Sequence, residues 1–342
     1  PGGSARPGEE AAMERLRVGI LGFGNLGRGA AAAVSQSPDM ALAGIFTRRP
    51  PEQVAAEAGG MPVCPAALLE EGGPPVDVLL LCGGSAGDLP RQSPRYAGRF
   101  HIVDSFDTHA RAPEHFAAVD AAARRGGRAA VICAGWDPGL FSVLRALALA
   151  ALPRGESHTF WGEGVSQGHS EAVRRLPGVL DARAYTVPIP AALEAARAGE
   201  GAELTPGSMH RRVCYVALEE GAEPETVRRA IVTMPHYFAD YDTTVHFVAR
   251  EELARDHTGL PHGGLVLRTG RTGRGEAHRA GLEFRLRLDS NPEFTGGVLA
   301  ACARAAWRLG QAGEYGCKTL LDIPPALLLP FDQGEEGYWK LI

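Results

Sequence analysis

The sequence predicts an α/β protein: a doubly wound parallel sheet followed by a second, α+β domain. Three observations predict it. Through residue 138, short apolar runs alternate with helical stretches, the pattern of parallel strands joined by crossover helices. A glycine-rich turn separates the first run from the first helix. After Pro138 the runs instead alternate apolar with polar residues, as in an antiparallel sheet with one covered face.

In order along the chain, residues 17–21 read as a buried strand, the Ala-rich stretch to Gln36 as a helix, and Ser37-Pro38-Asp39 as a turn. Residues 42–46, 76–82, 101–106 and 129–134 read as further strands, with helices over 88–98 and 113–125. The run at 76–82 is continuously apolar, as expected of a strand buried on both faces. Beyond Pro138, residues 140–152 read as a helix and 158–170 as a polar, Gly-rich loop carrying Phe160-Trp161. Residues 211–217, 243–248 and 283–288 read as antiparallel strands, and 292–311 as a long Ala-rich helix. The expected organisation is a disordered extension or remnant over 1–12, a dinucleotide-binding domain over 13–138, a substrate-binding and dimerisation domain over 139–289, and a C-terminal segment, 290–342, packing back on the first domain.

Composition narrows the function classes. The chain has 342 residues, 45% hydrophobic and 22% charged, the balance of an ordinary soluble protein of about two domains. A net charge of −5 and a pI near 6.2 argue against nucleic acid or an anionic membrane as the main partner. The longest apolar stretch, 140–152, is interrupted by Arg145 and falls short of the roughly 20 residues a bilayer needs. Residues 1–12 hold no apolar segment and do not read as a secretory signal. The six cysteines form no CxxC pair, which points to reduced thiols in a cytoplasmic protein. The eleven histidines form no HExxH, and no metal is expected.

Gly22-Phe23-Gly24-Asn25-Leu26-Gly27 matches G-x-G-x-x-G in its required setting, with a strand before it and a helix after it. Gly22 permits the tight turn, Gly24 lets the backbone approach a pyrophosphate, and Gly27 lets the helix pack on the strand. The first domain is therefore expected to be of the Rossmann type. At the end of the second strand, where an NAD enzyme carries a carboxylate for the ribose, stand Thr47-Arg48-Arg49. With no carboxylate there to repel a 2′-phosphate, two guanidiniums and a hydroxyl can bind one, so NADP is the expected cofactor. The loops Cys82-Gly83-Gly84-Ser85 and Ala134-Gly135-Trp136-Asp137-Pro138 follow strand ends, where such folds bind ligands.

Longer motifs carry a resemblance. Ile20-Leu21 through Arg28, Gly44 through Arg49, Val103-Asp104-Ser105-Phe106-Asp107, Gly135-Trp136-Asp137-Pro138-Gly139, His158 through Gly162, Ser166-Gln167-Gly168-His169-Ser170, His257 through Gly264 and Leu288 through Pro292 resemble the meso-diaminopimelate D-dehydrogenase family from about residue 15 to beyond 300. The resemblance implies NADP-dependent, reversible oxidative deamination of the D-centre of meso-2,6-diaminopimelate, and a homodimer. It implies that Ser105, Phe106 and Asp107 join the cofactor site, and that Asp107 and Asp137 act at the reacting centre. It marks Trp161, Gln167 and Gly168 as substrate contacts, and Thr186, Arg212, His262 and Asn291 as the group that holds the distal L-centre. Read alone, Asp137 could also cap a helix after Pro138, a role compatible with the first, Trp161 could be core, Arg212 a surface arginine and His262 a loop histidine.

No general base is assigned. An aspartate of ordinary pKa, about 4, accepts protons poorly at pH 7, and His169 is a further candidate. Three departures from the family pattern bear on fine substrate preference: Thr47 where serine is common, a longer loop over 271–278, and Glu171 in place of a shorter Asp. Two rivals remain. Another NADP enzyme of this layout, such as an aspartate-semialdehyde-type dehydrogenase, needs a catalytic cysteine, and Cys133 reads as buried. A non-catalytic NADP-sensing regulator needs no paired aspartates.

Overall fold

A computed structural model describes residues 15–331 and 335–342; the expected extension over 1–12 lies outside them. The chain divides into two compact units. One holds the described residues up to Leu140 and those from Pro292 on; the other is Phe141–Asn291.

In the first unit, strands β1 (Leu16–Leu21), β2 (Met40–Thr47), β3 (Val63–Pro65), β4 (Val78–Leu81), β5 (His101–Asp104) and β6 (Ala129–Val131) alternate with helices α1 (Asn25–Ser35), α2 (Pro51–Glu57), α3 (Leu68–Glu71), α4 (Leu89–Ala97) and α5 (Ala112–Gly126). The sheet is parallel. β4 is fully buried along its length, which accounts for its unbroken apolar sequence. The helix α1 turns Gly27, Gly29, Ala30, Ala31 and Val34 inward. A Cβ at Gly27 would sit 2.1 Å from the Gly22 carbonyl oxygen, so only glycine allows that close approach.

The second unit holds α6 (Phe141–Ala151), β7 (Gly155–Trp161), β8 (Gly164–Val165), α7 (Gln167–Arg174), β9 (Val179–Pro188), α8 (Pro190–Ala198), α9 (Pro206–Met209), β10 (His210–Leu218), α10 (Pro224–Val232), β11 (Asp242–Phe247), α11 (Arg250–Asp256), β12 (His262–Thr272) and β13 (His278–Leu288). These strands make two sheets, β11-β10-β9-β8 and β13-β12-β7. Residues 158–170 are therefore not a loop. They complete β7, form β8 and open α7; Phe160 and His158 point into the interior, so the strand's buried face carries a polar side chain and its alternation reads as loop. The antiparallel expectation fails at one edge. β11 runs parallel to β10, because α10 crosses over between them, the connection a parallel pair requires.

The chain returns to the first unit through α12 (Asn291–Gln311) and β14 (Gly316–Lys318). β14 extends the parallel sheet beside β6, giving the order β14-β6-β5-β4-β1-β2-β3. Arg304 on α12 grips Asp39 bidentately, at 2.6 and 2.8 Å. A last short helix, α13, spans Glu336–Trp339. No described helix is long and apolar enough to cross a membrane.

Candidate active site

The glycine turn opens the parallel sheet at the carboxyl end of β1. Gly22 has φ +98°, a left-handed conformation that glycine adopts without strain, and its N–H donates to the Phe46 carbonyl at 2.9 Å. Phe23 is buried, while Gly24 and Asn25 are exposed and Leu26 half-buried. No atom lies within 4 Å of where a Cβ on Gly24 would stand. The open backbone there, ahead of the free amides of α1, fits a pyrophosphate.

Thr47 is buried and its Oγ1 accepts from the Arg49 N–H at 3.0 Å. Carboxylates are nonetheless present, supplied from elsewhere in the chain. Arg48 donates to Asp88 at 2.7 Å. Arg49 donates to Glu57 at 3.2 Å and to the Phe23 carbonyl at 3.0 Å. Glu57 also receives Arg28 at 2.5 Å, and the hydrogen bonds from Arg28 and then Arg49 hold its carboxyl below the usual range. Three guanidiniums thus face two carboxylates, leaving one positive charge at this rim. A 2′-phosphate must share these arginines with Asp88 and Glu57.

Two loops at strand ends carry the aspartates. Cys82 and Gly83 follow β4; Gly84 donates its N–H to Asp88 at 3.2 Å, and Ser85 Oγ accepts from the Asp107 N–H at 3.1 Å. Ser105 is half-buried, Phe106 buried and Asp107 exposed. After β6, Ala134 and Trp136 are buried and Gly135, Asp137 and Pro138 half-buried. Asp137 is extended, at φ −156° and ψ 109°, and α6 begins only at Phe141, so the capping alternative has no helix at the right place. The Cys133 thiol is pushed up to about 12, by burial first and then by Asp104 and Asp107, which disfavours the thiolate an acylating dehydrogenase uses.

The second unit gathers the other predicted residues. Arg212 on β10 is 8% exposed. It donates to Thr186 on β9, lies 4.1 Å from the ring centroid of Tyr241, and its Nε has no partner. No carboxylate pairs with it among the described residues. Burial pushes its pKa down, as expected of a cation without a counter-ion. Trp161, half-buried at the end of β7, donates its N–H to His210 Nε2 at 2.8 Å. His210 was not anticipated; only strand register reveals it. Gln167 and Gly168 are exposed in the first turn of α7. His262 opens β12, with Nδ1 accepting from the Gly263 N–H at 2.8 Å, and the Asn291 N–H donates to the Leu260 carbonyl at 3.0 Å.

His169 Nδ1 lies 2.6 Å from Ser166 Oγ. Its pKa falls to about 4, through burial first and then Arg212. It is neutral at pH 7 but no better a base than an aspartate. His101 and His210 are likewise lowered to about 4, chiefly by burial. The unfolded chain, with histidines near 6.5, binds these protons before the folded one does. Stability is therefore full above about pH 6.5 and declines as pH falls toward 4, by up to ~1.4 kcal/mol per pH unit for each histidine. Thermal melts between pH 7.5 and 4.5 check this; a Tm unchanged from pH 7 to 5 contradicts it.

A parallel sheet with this glycine turn, this basic rim and aspartates beyond two strand ends defines a nicotinamide-dinucleotide oxidoreductase. Comparison supplies the kind. Residues 135–290 match the diaminopimelic acid dehydrogenase C-terminal domain family. The chain is 54% identical over 320 residues to the meso-diaminopimelate D-dehydrogenase of Lysinibacillus sphaericus, covering 93% of this chain and 97% of the relative. Among solved structures it resembles the Corynebacterium glutamicum diaminopimelate dehydrogenase in complex with diaminopimelate (TM-score 0.87, 42% identity, 93% and 97% of the two chains). It also resembles an engineered D-amino acid dehydrogenase bound to NADP+ (TM-score 0.82, 40% identity, 94% and 98%). The chain belongs to the meso-diaminopimelate D-dehydrogenase family, oxidoreductases acting on CH–NH2 donors.

Proposed function

We propose that the chain catalyses the reversible oxidative deamination of the D-centre of meso-2,6-diaminopimelate. Substrate, NADP+ and water give L-2-amino-6-oxopimelate, which cyclises to tetrahydrodipicolinate, with ammonium, NADPH and a proton. The observation that carries the reading is Arg212. A buried guanidinium without a counter-ion is costly unless an anion completes it, and the distal carboxylate of a diaminodicarboxylate is such an anion. Thr186, His262 and Asn291 complete the hold on the L-centre.

The first unit acts as the NADP-binding domain and the second as the substrate-binding and dimerisation domain. NADP+, held by the glycine turn and the Thr47-Arg48-Arg49 rim, would supply the hydride acceptor. Asp107 and Asp137 hold the ammonium of the D-centre and aim its C–H, while Trp161 packs the methylene chain and keeps out water. Gln167 and Gly168 offer an amide and an unobstructed backbone to a carboxylate. The decisive experiment is NADP+ reduction with the separate stereoisomers of diaminopimelate: meso alone should turn over well, and no reduction with meso would overturn the reading.

Two further outcomes follow. Replacing both Arg48 and Arg49 by Ala raises the KM for NADP+ with much less effect on NAD+. Charge-assisted bonds contribute about 1.5–3 kcal/mol each, but these side chains are 63% and 47% exposed and already paired. The low end applies, about 1–3 kcal/mol for the pair, after discounting for solvent. Steady-state kinetics with both cofactors measures it; equal use of the two by the unmodified enzyme contradicts it. The enzyme is a cytoplasmic homodimer joined through the second unit, where Ala280, Leu282, Phe284 and Leu286 alternate along β13 as a half-buried apolar row on one sheet face. Ultracentrifugation showing a monomer at micromolar concentration removes this assignment.

A further inference from the structure

We propose that Asp104 and His115 are a buried positioning pair that sets the spacing of Asp107 and Asp137, a role that rests on the function proposed above. Asp104 is the last residue of β5 and is fully buried. Its Oδ1 accepts from two backbone amides that belong to different loops: Phe106 at 3.1 Å, one residue before Asp107, and Cys133 at 3.2 Å, four residues before Asp137. Its main-chain carbonyl accepts from Ala134 at 2.8 Å. Its Oδ2 accepts from Ser93 Oγ on α4 at 2.6 Å and lies 2.7 Å from His115 Nε2 on α5. A carboxylate in so apolar a layer is tolerable only when its lone pairs are filled, and here four donors fill them.

The arrangement does what the sheet does not. β5 and β6 pair only at Ile102 with Ala130 and Val103 with Val131. Past that point the ladder stops, and the Asp104 carboxylate clasps both exits in its place. Cys133 carries a left-handed φ of +55°, a strained conformation for a residue with a Cβ, and it is held there by its N–H bond to Asp104. His115 fixes Oδ2 and also bears on the first loop directly. Its imidazole stacks on the Phe106 ring at a centroid distance of 4.1 Å and an interplanar angle of 14°. The pair thus joins two helices to the two loops that present the substrate aspartates. None of these contacts involves the glycine turn.

The test compares the unmodified enzyme with His115→Phe, which keeps a stacking ring and removes the donor, His115→Gln, which restores an N–H donor, and Asp104→Asn. Displacement of about 1 Å at a reacting centre costs on the order of 100-fold, so kcat with meso-diaminopimelate should fall roughly 10- to 100-fold in His115→Phe and Asp104→Asn. His115→Gln should recover part of the loss. NADPH affinity by fluorescence titration should change far less than kcat, because the glycine turn and the basic rim are untouched. With substrate deuterated at the D-centre, the isotope effect on kcat should rise in His115→Phe, because misalignment slows hydride transfer itself; a merely structural defect lowers the active fraction and leaves that ratio alone. Should His115→Phe or Asp104→Asn fail to fold, Ser93→Ala carries the same comparison with a smaller effect. Folded variants with unchanged kcat, or with kcat lost and the isotope effect unmoved, overturn the pairing alone. An unmodified enzyme inactive on meso-diaminopimelate overturns the proposed function, and the pairing with it.

Discussion

Replacing Arg212 by Met lowers kcat/KM for meso-diaminopimelate by about 2–4 kcal/mol, the scale of a bidentate guanidinium–carboxylate pair formed out of water. The structure sharpens the expectation. Arg212 has the Thr186 hydroxyl as acceptor and the Tyr241 ring beneath it, but its Nε is unmet, so the protein alone leaves the cation incompletely satisfied. Two consequences separate this from general damage. The Tm of the variant should not fall, since removing a buried, unpaired charge relieves a desolvation cost. Activity on D-amino acids with uncharged side chains should rise relative to meso-diaminopimelate, because no unpaired guanidinium then penalises them. Steady-state kinetics on both substrates, with a thermal melt, decides it. An unchanged kcat/KM for meso-diaminopimelate means the distal-site assignment is wrong.

What could be read from the sequence divides by distance along the chain. The glycine turn and its flanking strand and helix are contiguous, so the strand–turn–helix unit around Gly22 to Gly27 is legible from residues alone. The same holds for the apolar run that became β4. The partners of Arg48 and Arg49 were not legible. Asp88 and Glu57 lie 40 and 8 positions away, and only the fold brings them to the rim, so a site that reads as free of carboxylates is in fact partly counterbalanced. β7 was missed because its inward face carries His158 beside Phe160, and a buried histidine breaks the alternation that marks a strand. The parallel placement of β11 depends on α10 crossing over, which alternation does not encode. Arg212 shows the opposite limit. Composition favours a surface arginine; the resemblance alone assigned it to the substrate, and its burial gives that assignment a physical basis. Asp104 stood inside a quoted motif without a role, because its four donors come from residues 93, 106, 115 and 133.

The second large effect is stereochemical. The L,L isomer should turn over at less than about 1% of the meso rate, a discrimination of roughly 2.7 kcal/mol or more, as expected where binding sites fix a substrate at several polar points. Both isomers carry the same charges and the same L-centre, the one assigned to Thr186, Arg212, His262 and Asn291, so on that assignment affinity alone does not separate them. The difference lies at the other centre. If Asp107 and Asp137 hold its ammonium while the distal group fixes the rest of the molecule, inverting that carbon exchanges its hydrogen with its carboxylate. The C–H then points away from the hydride acceptor, or else the ammonium must leave the aspartates. The loss should therefore fall on kcat, with the L,L isomer binding as a competitive inhibitor. Asp137→Asn tests the same centre from the protein's side. It removes one of the two charges assigned to the ammonium and should lower kcat for every substrate, charged or uncharged at the distal end, whereas Arg212→Met should penalise only those with the distal carboxylate. Initial rates with each isomer, and inhibition of the meso reaction by the L,L form, check both. An L,L isomer as good as the meso form would remove the assignment of Asp107 and Asp137 to the reacting centre.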